Sequence, residues 1–489
     1  MPLLKIQIRI LATSCLGLLA CGTSAELEVP GPENVLLLVV DTLRADKLGC
    51  YGYERDTSPA IDALAASGTL YENCYSQACW TVPSMISMMS GAYVTERESA
   101  LPTGMIVLAE ALQGRGMDTA AFLANPTLGL ERGFERGIQH FVTLNDEPAD
   151  QVVAKFEEWH RARQSDEVRS QKPFFVWAQF MDPHQPYRPQ PEHEIFDGLS
   201  PGQDELQARW SAHEARVAEL SPDLEASTFM NATRVMNRRR NLYDCEVHQS
   251  DAGIGRMLDI LRASGELAKT LVIVAADHGE MLYEQPHEPL LVQSMIDDKG
   301  GLPNGVRDLF ANGHRPWYYE DLWNTPLIIS GPGMPAGVRQ SGLAANLDIF
   351  PTILEALDYP PIPGLAGMSL FTGRDAERDR IYAFGHQTPA IREASGKKLF
   401  IHPRTLYLLE GEGPDPTKLY DLANDPAEQH ELSESSPAEL ARLQESIDQW
   451  KASNARDVTN TTSEAQRQIL RDLGYVGGGL DFDAESGGD

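Results

Sequence analysis

Residues Asn34–Val40 form an unbroken apolar run, Asn-Val-Leu-Leu-Leu-Val-Val, rich in β-branched side chains, and the residue that follows is Asp41. A strand with one face in water alternates polar and apolar residues. A strand without alternation has to be covered on both faces, as in a parallel sheet flanked by helices. Phe174–Phe180 repeats the pattern and stops at Asp182-Pro183-His184, and residues 270–275 repeat it again and run into Asp277-His278-Gly279-Glu280. Thr119–Leu123 and Leu327–Ser330 read as shorter strands, the latter closed by Gly331-Pro332-Gly333. Helical spacing fills the intervals. Pro59–Ser67 carries Ile61, Leu64 and Ala65 on one side with Gly68 after it, Met105–Gly114 gives another helix, and Asn241–Ser264 places Val247, Ile254, Met257, Leu258 and Leu261 on one stripe. The alternation predicts an α/β fold with a mostly parallel central sheet and helices on both faces.

Ligands of such sheets bind beyond the carboxyl ends of the strands. Asp41, Asp182, His184, Asp277 and His278 all follow predicted strands. Any one of them alone is an ordinary turn or cap residue. Gathered at one sheet edge, they repel one another or keep unsatisfied lone pairs unless a cation binds them, so a divalent metal site is the economical expectation. Cys79-Trp80-Thr81-Val82-Pro83-Ser84 supplies a hydroxyl two residues before a proline. By itself this is a common helix start, with the hydroxyl as cap and Pro in the first turn. Beside a metal site it becomes a candidate nucleophile.

A chain of 489 residues with 42% hydrophobic content can bury a large core in two or three units. A formal charge of −30 excludes nucleic acid as a partner, because such binding needs basic surfaces; an anionic substrate requires a bound cation to reverse the field locally. Lys5 and Arg9 precede the apolar run Ile10–Ala20, too short to span a bilayer and suited to a secretory signal. Leu18-Leu19-Ala20-Cys21 resembles the lipobox of bacterial lipoproteins, which implies lipidation of Cys21, and Gly22 after it implies the outer membrane. The remaining cysteines, Cys50, Cys74, Cys79 and Cys245, match no zinc or disulfide framework and are expected as buried thiols, with Cys74 and Cys79 the nearest candidates for a bridge.

From Asn34 to Leu432 the motifs resemble, in one order, those of the sulfatases within the alkaline phosphatase superfamily. Asn34-Val35-Leu36-Leu37-Leu38-Val39-Val40-Asp41 is similar to the opening strand and first metal ligand, Thr81-Val82-Pro83-Ser84 through Ser90-Gly91 to the signature, and Asp182-Pro183-His184 to the substrate-side histidine segment. Asp277-His278 resembles the second ligand pair, Gly313-His314 continues the likeness, and Leu419-Tyr420-Asp421 resembles the C-terminal subdomain. The resemblance implies an alkaline phosphatase-like domain over 33–370 and a smaller α+β subdomain over 371–455, after a signal over 1–21 and a tether over 22–32; a helix and acidic tail fill 456–489. It implies Asp41, Thr81, Asp277 and His278 at a metal, and Thr81, His184, His314 and Arg97 as catalytic residues.

Departures from the family pattern bear on the chemistry. Sulfatases carry Cys or Ser where this chain has Thr81, and a maturation enzyme converts it to formylglycine; oxidation of threonine at Cβ would give a ketone instead. Cys79 lies two residues too early to substitute, Met85 replaces the signature arginine, Thr42 replaces a second aspartate and Arg97 stands near an expected histidine. The sequence therefore predicts a metal-dependent hydrolase of sulfate or related anionic esters, on small molecules or glycans, with Thr81 as direct nucleophile. The alternatives are a phosphodiesterase or phosphomonoesterase using Thr81, and a lapsed surface lipoprotein that binds anionic glycans. Calcium is the expected cation, with zinc, magnesium and manganese also compatible with oxygen and imidazole ligands. Membrane attachment is expected through the Cys21 lipid, on an exported protein.

Overall fold

The structure of the chain, a computed structural model, describes residues 31–93, 100–102, 104–205, 208, 226–282, 317–373, 378–385, 388–401 and 417–454. The signal, Cys21, Arg97, His314 and the tail lie outside the described residues.

The strands β1 (Asn34–Val40), β2 (Gly68–Tyr75), β3 (Asp118–Leu123), β4 (His140–Thr143), β5 (Phe174–Phe180), β6 (Thr270–Ala276), β7 (Asn324–Ser330) and β8 (Val338–Ala345) form one sheet. Their order is β4-β3-β5-β1-β6-β7-β2-β8. The pairs β1·β5, β1·β6, β3·β5, β3·β4 and β2·β8 are parallel, and β7 alone among these strands runs against its neighbours. β1 occupies the middle and is buried along its whole length, as its composition requires. Its odd-numbered residues Val35, Leu37 and Val39 join one core layer, with Val82, Met85 and Ile86, and its even-numbered residues Leu36, Leu38 and Val40 join the other, with Ile61, Ile254 and Met257. Each such aliphatic side chain contributes about 1.5–3 kcal/mol by leaving water, so neither face tolerates a polar substitution.

The first layer is covered by α2 (Thr81–Ser90), α3 (Leu108–Gln113) and, after the four-residue α6 (Glu320–Trp323), by α7 (Ile349–Ala356). α1 (Pro59–Ala66), α4 (Ala149–Ser165) and the long α5 (Ala226–Ser264) cover the second. The sequence missed three strands of this sheet, β2, β4 and β8. β2, Gly-Thr-Leu-Tyr-Glu-Asn-Cys-Tyr, carries polar residues that hide the apolar pattern, and Gly68 both ends α1 and starts the strand, where a Cβ would lie 2.4 Å from the Ile329 carbonyl oxygen. β8 begins in half-exposed residues and becomes fully buried only at its last three positions.

A second sheet, in the order β12-β11-β10-β9, is antiparallel and consists of β9 (Arg380–Gly385), β10 (Thr388–Glu393), β11 (Lys397–Ile401) and β12 (Thr417–Asp421). Leu443 and Ile447 of α8 (Pro437–Asn454) pack on one face against Ile391, Leu399 and Leu419. Phe400 and Tyr420 on the opposite face meet Tyr75, Tyr319 and Trp323 of the large sheet's edge. Lys398 is buried between Glu320 at 2.8 Å and Glu428 at 2.7 Å, and joins the two sheets.

Candidate active site

Sheet register sets the two carboxylates of the site. Val40 pairs with Ala276 across β1 and β6, so Asp41 and Asp277 leave adjacent parallel strands side by side, both fully buried. Asp277 Oδ1 accepts the backbone N–H of Thr42 at 3.2 Å and of His278 at 2.9 Å, which fixes that carboxylate. Thr42 holds a left-handed backbone (φ 56°), an unfavourable state for a β-branched residue, and its carbonyl accepts the Tyr243 hydroxyl at 2.8 Å. The turn that offers this N–H to Asp277 is thus held from α5. His278 Nδ1 donates to the Gly279 carbonyl at 2.8 Å, leaving the Nε2 lone pair toward the carboxylates. A Cβ at Gly279 would lie 1.9 Å from the Asp321 carbonyl oxygen, so only glycine fits behind the histidine.

Thr81 is the first residue of α2, with Trp80 as the capping position, so its hydroxyl does not cap the helix but enters the cluster. Its Oγ1 donates to Asp41 Oδ2 at 3.4 Å and lies 3.5 Å from His278 Nε2. Ser84, one turn on, donates to the Asp277 carbonyl at 2.6 Å and ties the start of α2 to the end of β6. Met85 is buried in the core beside Val82 and Ile86, so the position of the family's arginine is structural here. Cys79 is buried as well, and burial raises its thiol well above the ordinary range, which excludes it as a neighbouring nucleophile. Cys74 and Cys79 are not bridged; Cys50, Cys74, Cys79 and Cys245 are all free thiols.

Asn125, which sequence reasoning missed, completes the cluster. It follows β3, its Nδ2 donates to Asp41 Oδ2 at 2.5 Å and to Thr81 Oγ1 at 3.4 Å, and its Oδ1 is held by the N–H and hydroxyl of Thr127 at 2.8 and 2.6 Å. The signal was a polar residue after a predicted strand, masked by the Asn-Pro pair that also marks a turn.

His184 and Asp182 part company. The His184 imidazole reaches Asp41 electrostatically and favours its ionised form. Asp182 turns away: it accepts the Ala149 N–H at 2.8 Å and the Gln249 amide at 3.0 Å, and burial pushes its carboxyl up to about 6. It anchors α4 and α5. Arg44 is engaged by Asp46 at 2.8 and 2.6 Å, by the Glu280 carbonyl at 3.2 Å and by Asp321 at 3.9 Å.

Burial first, then the neighbouring Asp277 charge, raises the Asp41 carboxyl; His184, His278 and the Asn125 amide act against that rise. The ligand atoms of Asp41, Asp277 and His278 lie within 4.8 Å of one another, the one such group among the described residues. Asp41 Oδ1 is buried and makes no hydrogen bond. Two buried carboxylates, an imidazole with its lone pair turned inward and a hydroxyl form a donor set that fits a hard divalent cation, with magnesium and calcium ahead of zinc because oxygen dominates.

A mixed α/β sheet that gathers carboxylates, imidazole and a hydroxyl at its strand ends defines the class of the protein, an ester-bond hydrolase. The profile of the family described as Sulfatase matches residues 33–359, and the chain belongs to the sulfatase family. Arylsulfatase K of Bos taurus is 22% identical over 91% of this chain and 87% of its own. Choline-sulfatase of Rhizobium meliloti (strain 1021) is 22% identical over 90% of this chain and 91% of its own. Among solved structures, BT4656 in complex with its substrate D-glucosamine-2-N,6-O-disulfate shares the fold with a TM-score of 0.63 at 18% identity, covering 93% of this chain and 100% of that one. The phosphonate monoester hydrolase of Silicibacter pomeroyi shares it at 0.62 and 19%, covering 86% and 95%.

Proposed function

We propose that this chain hydrolyses sulfate esters of small molecules or glycans with Thr81 as a direct nucleophile, without formylglycine. The observation that carries the reading is the position of Thr81 Oγ1, 3.4 Å from Asp41 Oδ2 and from Asn125 Nδ2, and 3.5 Å from His278 Nε2. Asp41, Asp277, His278 and the Thr81 oxygen would hold the cation, which supplies positive charge that lowers the hydroxyl's pKa and attracts the anionic ester to a protein of net charge −30.

Asp41 Oδ2 is the first acceptor of the Thr81 proton. Thr81 Oγ1 attacks sulfur in line, its bond to sulfur forms, and the bond from sulfur to the departing alkoxide breaks. Asn125 orients the attacking oxygen and donates to the charge that develops there. His184, on the side of the site opened by the segment after β5, gives the departing oxygen its proton. Water then attacks sulfur, releases sulfate and returns Thr81 to the alcohol. His314 and Arg97 are proposed as further contacts to the leaving group and the anion.

The same alcohol favours a second reading, phosphoric or phosphonic esters. Release from a threonyl ester requires water to attack the central atom, a displacement that phosphorus supports readily. The test is turnover of aryl sulfate, aryl phosphomonoester, phosphodiester and phosphonate by the wild type and Thr81→Ala, each stripped of metal and resupplied with calcium, magnesium, manganese or zinc. Wild-type turnover that depends on Thr81 supports the nucleophile, and the preferred ester separates the two readings. Equal background from both proteins on every ester leaves the binding-only alternative. Export and a lipid on Cys21 are proposed as well: Cys21→Ser should move the protein from the membrane to the soluble fraction, and unchanged partitioning contradicts the anchor.

A further inference from the structure

The chain that follows His184 lies along α5 in a ladder of contacts. The Tyr187 ring meets that of Tyr243 edge-on at 5.8 Å, the Arg188 N–H donates to Glu246, and the Gln190 N–H donates to Gln249 Oε1 at 2.7 Å. Further on, the Ser200 N–H donates to Asn237 Oδ1 at 2.8 Å. In the middle of the ladder His193 and His248 bring their Nδ1 atoms to 3.0 Å, with ring centroids 5.1 Å apart and planes at 58°. Both imidazoles are half-buried, and Phe196 sets its ring edge-on to His248 at 6.4 Å.

Two nitrogens on one tetrahedral zinc, each about 2.0–2.1 Å from it, stand about 3.3 Å apart. A small ring rotation takes the observed pair to that separation. One ligand sits on a regular helix and the other on a segment tied to it on both sides, so the pair is preorganised. The neutral imidazole is the form that ligates. The nearby guanidinium groups are engaged elsewhere, Arg238 with Glu194 and Arg55 with Asp244, so neither is committed to the dyad.

We propose that His193 and His248 form a second metal site, a two-imidazole chelate for a borderline cation such as zinc, copper(II) or nickel(II), with water completing the coordination. Its donors are chemically unlike the oxygen-rich Asp41 set, so calcium and magnesium do not compete for it. A bound ion clasps the His184-bearing segment to α5, and thereby stiffens one wall of the site without touching the reacting atoms.

The test titrates the full chain, stripped of metals and then held in excess magnesium, with zinc by isothermal calorimetry. Wild type should take up about one more zinc equivalent than His193→Gln or His248→Gln. Cobalt(II) substitution should give a visible ligand-field band in the wild type that both variants lose. If His248→Gln does not fold, His193→Gln, outside any helix, carries the comparison alone. Equal zinc stoichiometry and affinity in wild type and folded variants overturns the proposal. The readout is metal uptake, so it stands or falls independently of any hydrolase activity.

Discussion

The Asn125 amide donates to both Asp41 and Thr81, so under the proposed mechanism its removal leaves the Thr81 hydroxyl present but unguided. Asn125→Ala should lower kcat by about 10²–10³-fold while thermal unfolding stays close to that of the wild type; an unchanged kcat would remove Asn125 from the mechanism. Thr81→Ala should lower turnover by about 10³-fold or more, and Thr81→Ser should retain much of it because the oxygen stays at the head of α2. Most of this cluster was legible in the sequence. Asp41, Asp277 and His278 announced themselves by ending apolar runs, a position where a carboxylate or imidazole has few structural reasons to be. Asn125 did not, because Asn before Pro is the composition of any turn. Asp182 carried the same strand-end signal as Asp41 yet caps α4, since only three-dimensional direction separates a ligand from an anchor.

At the scale of elements, α5 and the segment after β5 share a buried carboxylate. Glu246 accepts the Arg188 N–H, and burial, reinforced by the Asp182 charge, pushes its carboxyl up to about 9 from an ordinary 4.5. A carboxyl raised on folding favours the protonated state of the native protein, so stability is lost as pH rises from about 4.5 toward about 9. Glu246→Gln keeps an acceptor for Arg188 and removes that penalty. It should melt at least about 2 °C above the wild type at pH 8, with the gap closing at pH 5; calorimetric scans at both values check the sign. Gly279, just after β6, responds differently. Gly279→Ala places a methyl against the Asp321 carbonyl, and should lower both the melting temperature and metal uptake together. Elements with a continuous apolar run, β1 and β5, were readable to the residue. β2, between β7 and β8, and β8 at the sheet's edge were not, because they borrow their order from neighbours rather than from their own periodicity.

The whole molecule rests on two sheets joined by a buried ion cluster. Lys398, fully buried, pairs with both Glu320 and Glu428, and its own ammonium is kept charged by those two carboxylates despite burial. Lys398→Met fits the volume but strands two acids, and should cost about 3–5 kcal/mol in denaturant unfolding. A loss below 1 kcal/mol would show that the sheets are held by Phe400, Tyr420 and Trp323 alone. No periodicity revealed this junction; a lysine pair before a strand reads as surface until the partner strand order is known.

The pairing of Val40 with Ala276 places Asp41 beside Asp277 through backbone register, whereas Thr81 arrives on a separate helix. The two acids proposed to hold a cation and the hydroxyl proposed to attack are therefore set by different elements. A substitution at Thr81 alters the proposed attacking group without altering the register that sets Asp41 beside Asp277.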